Sequence, residues 1–307
     1  MAPAVAHHAD IREEEVAHGD IAFRRRRLGH AAGSLRIGAS HYVVPPHARQ
    51  MPVHVHGDEE EIFFVLTGDG VGYELQGQDP EGEAITYRVQ AGDVVVHRPE
   101  RAPHTFIAGE NGLELIAFGS GSESSITYLP RAGVMWCGPR WVPVDAPHPF
   151  AAEAAAGPLR PTASEPGTPR PNNVAALTDL ETGRFPPAEI RTLGMAAGSV
   201  KAGLNHVVLP SGSQGAPPHC HTLEEELFVV LAGGGTLTLG AASFPLVAGD
   251  VIARPPSGRV AHALTAGAEG LTYLAYGTRE PGDAILYPDT GRVWIRGIDV
   301  WLDASLH

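Results

Sequence analysis

The 307-residue chain is 43% hydrophobic, long enough for two domains of ordinary size, and holds no uninterrupted apolar run near the roughly 18 residues that a membrane helix needs. Its net charge of -13 argues against a nucleic-acid or anionic-membrane partner, because phosphate binding draws on clustered Lys and Arg. Only Cys137 and Cys220 occur, which argues against a disulfide framework, and residues 1–20 lack a basic start followed by an apolar core, so a cytoplasmic protein is expected.

Residues 1–25 read as an N-terminal arm. Its acidic stretch Glu13–Glu15 is followed by Arg24–Arg27, read as a solvated strand or a surface offsetting those acids rather than a phosphate site. From Leu28 the chain begins to repeat itself. Leu28-Gly29-His30-Ala31-Ala32-Gly33-Ser34-Leu35-Arg36 returns as Leu193-Gly194-Met195-Ala196-Ala197-Gly198-Ser199-Val200-Lys201. At the same offset His54, His56, Glu61 and Gly68 meet His219, His221, Glu226 and Gly233. The segment between Gly70 and Gly92 is longer than its counterpart, after which His104 meets His262, Tyr128 meets Tyr287 and Trp136 meets Trp294. The chain is a tandem duplication, with domains at 26–147 and 174–307.

Each copy consists of short runs rich in Val, Ile, Leu, Phe and Tyr between Gly, Pro and Asp turns, a pattern that predicts an all-β sandwich or barrel. Ile62, Phe64 and Leu66 alternate with Phe63 and Val65, so both faces of that strand are apolar. One face fills the barrel and the other must be covered by a second sheet or subunit. Residues 148–173, rich in Pro, Ala, Gly and Thr, read as a linker in which the Ala-rich part could form a helical turn.

The histidines carry the chemistry. In His54-Val55-His56 and His219-Cys220-His221 the period of two points both imidazoles to one side of a strand and turns Cys220 away. Glu61 lies an odd number of positions past His56, so the intervening residues must turn the chain for it to point back inward, and Thr222–Glu225 do the same before Glu226. His104 and His262 arrive after a further β-run and a Pro-rich turn. Three neutral imidazoles and one carboxylate suit Mn, Fe, Co, Ni, Cu or Zn and leave two positions open on a six-coordinate ion. Two divalent metal ions per chain are therefore expected, held by His54, His56, Glu61 and His104 and by His219, His221, Glu226 and His262.

These residues resemble the two motifs of the cupin superfamily. The first reads His-x-His, four residues, Glu, six residues, Gly, in both copies. The second is looser: Gly92, Pro99-Glu100-Arg101 with Arg in place of Gly, then His104; and Gly249, Pro256-Ser257-Gly258, then His262 one residue late. Neither copy keeps the family's trailing Asn. The resemblance covers about 240 residues and implies a bicupin of two tandem double-stranded β-helix (jelly-roll) barrels.

Several residues compete for roles. Glu59, Glu60, Glu224 and Glu225 are rival carboxylates, but the spacing to Gly favours Glu61 and Glu226. His41, His206 and His97 are candidates to face a barrel interior and orient ligands or move protons, with packing or surface roles as the equal alternative. Trp136, Trp294, Tyr128 and Tyr287 read as packing anchors. Ser122-Glu123-Ser124-Ser125 resembles the Ser-Glu-Asn-Ser lid of bicupin oxalate decarboxylases, where Glu handles a proton. The arginine those enzymes carry three residues before His-x-His is replaced by Met51, with Arg49 the nearest. The candidate catalytic residues are thus Glu123 and His97. The resemblance implies an enzyme acting on a small carboxylate or oxygen-rich metabolite, first as a dioxygenase-type oxidoreductase, second as a decarboxylase or isomerase, with a non-catalytic binding module as the rival. Its partner is a small molecule, and a homo-oligomer is allowed.

Overall fold

A computed structural model describes residues 5–77, 79, 82–120, 126–137, 148–159, 167, 169–256 and 258–303. Two eight-stranded antiparallel sheets dominate it, each completed by a smaller sheet. In the first half, the long strands Glu61–Leu75 and His104–Ser120 pair along their lengths, flanked by Asp93–His97 on one side and Ile37–Val44 on the other. Glu226–Leu239, His262–Thr278, Asp250–Arg254 and Ala202–Leu209 repeat this order in the second half. Val55–His56 and Cys220–His221, which carry the His-x-His pairs, lie in the smaller sheets. The all-β, two-barrel jelly-roll architecture is the one expected.

The motif glycines have a steric cause. Gly68 and Gly233 sit at φ of 80° and 74° beside paired irregularities in the long strands, and a Cβ there would come within 2.2 Å of the Gly112 and Gly270 carbonyl oxygens. Only glycine meets both demands.

Alternation along Glu61–Leu75 divides two cores. Phe63 and Val65 face into the first barrel with Tyr87, Phe106 and Leu115. Ile62 and Phe64 face the other way, against Leu227, Val229 and Tyr276 of the second barrel. The second apolar face is covered by the duplicate itself. The rings of Phe118 and Tyr276, at matching places in the repeat, stack with centroids 5.2 Å apart.

Polar contacts across this interface are reciprocal. Fully buried Glu60 accepts from the Ser199 hydroxyl at 2.5 Å and the Val200 N–H at 3.1 Å. Fully buried Glu225 accepts from the N–H groups of Leu35 and Arg36 at 2.9 and 2.8 Å. Short strands are also exchanged. Ala6–His7, in the arm, pairs with Asp250–Arg254 of the second barrel, and Val174–Ala176 pairs with Asp93–His97 of the first. Sheet pairing therefore crosses the sequence bounds at residues 25 and 173.

The basic and acidic clusters of the arm are hairpin neighbours. Glu13–His18 pairs with Ile21–Arg27, and Arg25 meets Glu14 at 2.6 Å while Arg26 meets Glu13 at 2.5 Å, which accounts for Arg24–Arg27 as the offsetting surface. Within 148–173 the chain forms a helix, Pro149–Ala155, capped by His148. Its buried Glu153 binds Arg49 at 2.5 Å, and Arg49 also meets Asp20 at 2.8 Å. Arg49 is thus consumed in a buried ion network and does not reach toward a ligand. Among the described residues no helix is long and apolar enough to cross a membrane.

Replacing Glu60 by Ala leaves the Val200 N–H without its acceptor at the part-buried interface and the Ser199 hydroxyl with only the Ala202 carbonyl oxygen, 2.6 Å away. A loss of about 2–4 kcal/mol in unfolding free energy is expected from urea denaturation, and Glu225→Ala should match it. An unchanged midpoint for both variants would show that the reciprocal carboxylates do not hold the barrels together.

Candidate metal centres

In the first barrel three imidazoles converge on one carboxylate oxygen. The Nε2 atoms of His54, His56 and His104 lie 3.3, 3.2 and 3.0 Å from Glu61 Oε2. A backbone bridge between His54 and His104 fixes two of these residues side by side, and Glu61 opens its strand opposite Gly119 and His97. In the second barrel the Nε2 atoms of His219, His221 and His262 lie 3.5, 3.3 and 2.9 Å from Glu226 Oε2. All eight sequence candidates therefore fall into two clusters of four.

The hydrogen bonds behind the rings suit a metal. The Nδ1–H groups of His54, His104 and His219 donate to the carbonyl oxygens of Pro52, Ala102 and Pro217 at 2.8, 3.2 and 2.8 Å. A carbonyl can only accept, so the proton stays on Nδ1 and the Nε2 lone pair points into the cluster. In the second cluster His221 Nε2, His262 Nε2 and Glu226 Oε2 are buried without a well-directed hydrogen bond, a set of orphan atoms that a divalent ion would satisfy. Burial pushes His104 down to about 4, keeping it neutral as a ligand must be. Burial also opposes charge on His56, but the neighbouring Glu61 carboxylate outweighs it and carries His56 up to about 9.

The rival carboxylates separate by alternation. Glu60 and Glu225 leave for the opposite barrel, as described. Glu59 and Glu224 stay on the ligand side, and a Cβ at Gly119 or Gly277 would strike their carboxylates at 2.1 or 2.5 Å. Glu224 forms an ion pair with Arg296, and burial, only partly offset by Arg296, raises its carboxyl to about 7.

Around these similar clusters the surroundings differ. His97 stacks flat on His104, centroids 3.5 Å apart, and is held neutral by burial and by the neighbouring histidines. Its place opposite the ligand glutamate is taken by Arg254 in the second barrel. His56 Nδ1 meets the Thr127 hydroxyl at 2.9 Å, whereas His221 Nδ1 donates to Asp283 at 2.6 Å. Asp283 is fully buried and also accepts from the N–H groups of Thr222, Leu223 and Glu224, so it orients the ligand and shapes the turn before Glu226. Burial alone would raise its carboxyl, but the bond from His221 and the backbone donors hold it well below the usual range.

Two expectations need correction. His41 and His206 lie on the interface side of their strands, in phase with Ala39 and Leu204, and not inside the barrels; His41 is bound to Glu114 at 2.7 Å and to His8 at 2.9 Å. Tyr128 and Tyr287 are not equivalent either. Register sets Tyr128 against Val55 but Leu286 against Cys220, leaving Tyr287 to stack on His219 with centroids 5.9 Å apart. Glu123 lies outside the described residues.

A cavity of about 200 Å³ opens onto the second cluster, lined by His219, His221 and Glu226 together with Asn205, Arg279 and Arg296. That is below the roughly 300–1,000 Å³ of pockets for drug-sized ligands, so it suits a molecule of a few heavy atoms.

The sequence matches the family model described as "Cupin domain" twice, over residues 40–118 and 205–275. No curated protein matches it. Among solved structures, oxalate decarboxylase from Bacillus subtilis at pH 4.6 superposes with a TM-score of 0.64 and 18% identity, over 94% of this chain and 79% of that one. Lactobacillus farciminis oxalate decarboxylase in its formate complex superposes with a TM-score of 0.61 and 17% identity, over 91% and 86%. At this identity the likeness is one of fold.

Replacing Asp283 by Asn keeps the shape but weakens the acceptor behind His221. Metal affinity at the second centre should fall by about tenfold or more in a chelator-competition titration, with the first centre unchanged. Equal affinity in variant and wild type would remove Asp283 from the metal's support.

Proposed function

The chain belongs to the cupin family as a bicupin, and from that premise we propose that it is a metal-dependent lyase that decarboxylates a small carboxylic acid. One observation carries this reading. Each barrel brings three imidazoles within 3.5 Å of one carboxylate oxygen, and in the second barrel that point opens on a cavity of about 200 Å³ that also holds arginines. The dioxygenase expectation drawn from the sequence finds no support in the two similar structures named above, which are oxalate decarboxylases.

His54, His56, Glu61 and His104 would hold one divalent ion, and His219, His221, Glu226 and His262 the other, manganese being the first to test. When bound, such an ion acts as a Lewis acid, polarising a carboxylate oxygen and stabilising the charge that builds as carbon dioxide leaves. The protein's own part is placement. The Pro52, Ala102 and Pro217 carbonyls keep the imidazole lone pairs turned inward, Arg296 holds the Glu224 carboxyl at the cavity wall, and the narrow cavity limits the water that accompanies a small acid.

Elemental analysis should find about two metal ions per chain, with one lost in His54→Ala/His56→Ala and the other in His219→Ala/His221→Ala. Carbon dioxide release without oxygen uptake, over a panel of two- to four-carbon acids, is the expected activity. Stoichiometric oxygen consumption would replace the lyase by an oxygenase, and ligand-raised melting temperatures with no turnover would replace it by a binding module.

A further inference from the structure

We propose that Arg279 is the substrate-binding residue of the second centre, its guanidinium holding one carboxylate of a small acid whose other end faces His219, His221 and Glu226. This rests on the carboxylate reading above and goes further by naming the centre and the residue. Arg279 follows directly on the strand His262–Thr278, whose Ala275 and Gly277 line the same cavity. Its backbone N–H donates to the Lys201 carbonyl at 3.0 Å, fixing the root of the side chain. Its guanidinium runs over Gly203, where a Cβ would sit 3.4 Å from Nε and 3.7 Å from Nη2. A glycine there gives the long side chain an open bed beside the cavity.

The other arginine lining this cavity and the arginine beside Glu280 are each paired. Arg296 is paired with Glu224, and Arg36 with Glu280 at 3.6 Å. Arg279, half-buried, makes no side-chain hydrogen bond or ion pair among the described residues. A partly desolvated cation without a counter-charge is a cost to the fold that an entering anion relieves. The planar guanidinium fork matches a carboxylate better than any other small anionic group except phosphate, and a phosphate ester with its organic part would crowd about 200 Å³. Asn205, on the same wall, supplies a neutral amide donor. The repeat sharpens the assignment. The positions matching Gly203, Asn205 and Arg279 are Gly38, Ser40 and Gly121, so the first copy carries no arginine at this place.

The test is calorimetric titration of oxalate and malonate, with the neutral isostere oxamide as control, into the manganese-loaded full chain carrying His54→Ala/His56→Ala, which leaves only the second centre. Adding Arg279→Gln should weaken oxalate about 10- to 100-fold, leave oxamide unmoved, and keep metal content and melting temperature. Arg279→Lys should recover part of the loss, and it carries the comparison should the Gln variant melt early. Equal oxalate affinity with and without Arg279 overturns the proposal. If the wild-type chain binds oxalate and the His54→Ala/His56→Ala chain does not, this proposal fails while the carboxylate reading stands; if the wild type binds no carboxylate, both fail.

Discussion

The two-residue alternation at Glu60–Glu61, and again at Glu225–Glu226, is the constraint on which the molecule depends. Successive side chains of a strand point to opposite faces. Glu61 can close the metal cluster only if Glu60 points out of the barrel, where a bare carboxylate would be unstable. The other barrel supplies the answer by offering Ser199 and Val200 as donors, while Leu35 and Arg36 do the same for Glu225. The interface and the two clusters are thus set by the same two pairs of consecutive glutamates, and neither barrel provides a complete environment for its own ligand strand. The exchanged strands Ala6–His7 and Val174–Ala176 deepen that dependence by covering edges that would otherwise be open.

Duplication preserved the ligands and changed what surrounds them. The first cluster is backed by the stacked, neutral His97 and the Thr127 hydroxyl, with the Glu59 carboxylate 3.6 Å from His56 Nδ1. The second is backed by charges, with Arg254 opposite Glu226 and Asp283 behind His221. A ligand imidazole hydrogen-bonded to a carboxylate is more basic than one bonded to a hydroxyl, so a metal at the second centre is held by a stronger donor on that side. Nearby arginines work in the opposite sense on bound anions, drawing them in. Two centres with the same four candidate ligands would therefore differ in metal affinity and in the charge of the molecule they admit.

Much of this was legible in the sequence because duplication repeats a signal that one copy would leave ambiguous. His-x-His needs only strand periodicity to be read as one-sided, and the spacing from Glu61 to Gly68 records a steric demand of the long strand. The pairing of Glu13–Glu15 with Arg24–Arg27 was likewise visible as charge compensation. Other features were illegible for definite reasons. Asp283 lies 62 positions from His221, in a loop with no periodicity, and acts through a fold contact that no local pattern encodes. His41 and His206 were histidines at matching places, but which strand face is interior depends on where the second barrel docks. The Tyr128–Tyr287 match was a coincidence of composition, offset by one residue from the true register, and one residue is enough to move a side chain to the other face.

The same arithmetic explains why the carboxylates beside the ligands could be ranked but not assigned. Glu59, Glu60 and Glu61 are chemically alike, and only parity distinguishes them: Glu59 and Glu61 share the cluster side and Glu60 does not. Parity then requires space for the extra carboxylate beside the ligand, and glycine at 119 and 277 provides it, since any Cβ there would meet the Glu59 or Glu224 oxygen. Gly119 and Gly277 are the penultimate residues of the central strands His104–Ser120 and His262–Thr278, and a glycine in a strand has no side chain to pack, so its presence at both positions has to be offset by what it admits. In the second barrel that is a carboxyl raised to about 7 and leashed by Arg296 on the wall of the cavity. The space left by the missing Cβ, more than the ligands themselves, makes the second cluster a site with a neighbouring acid rather than a closed structural knot.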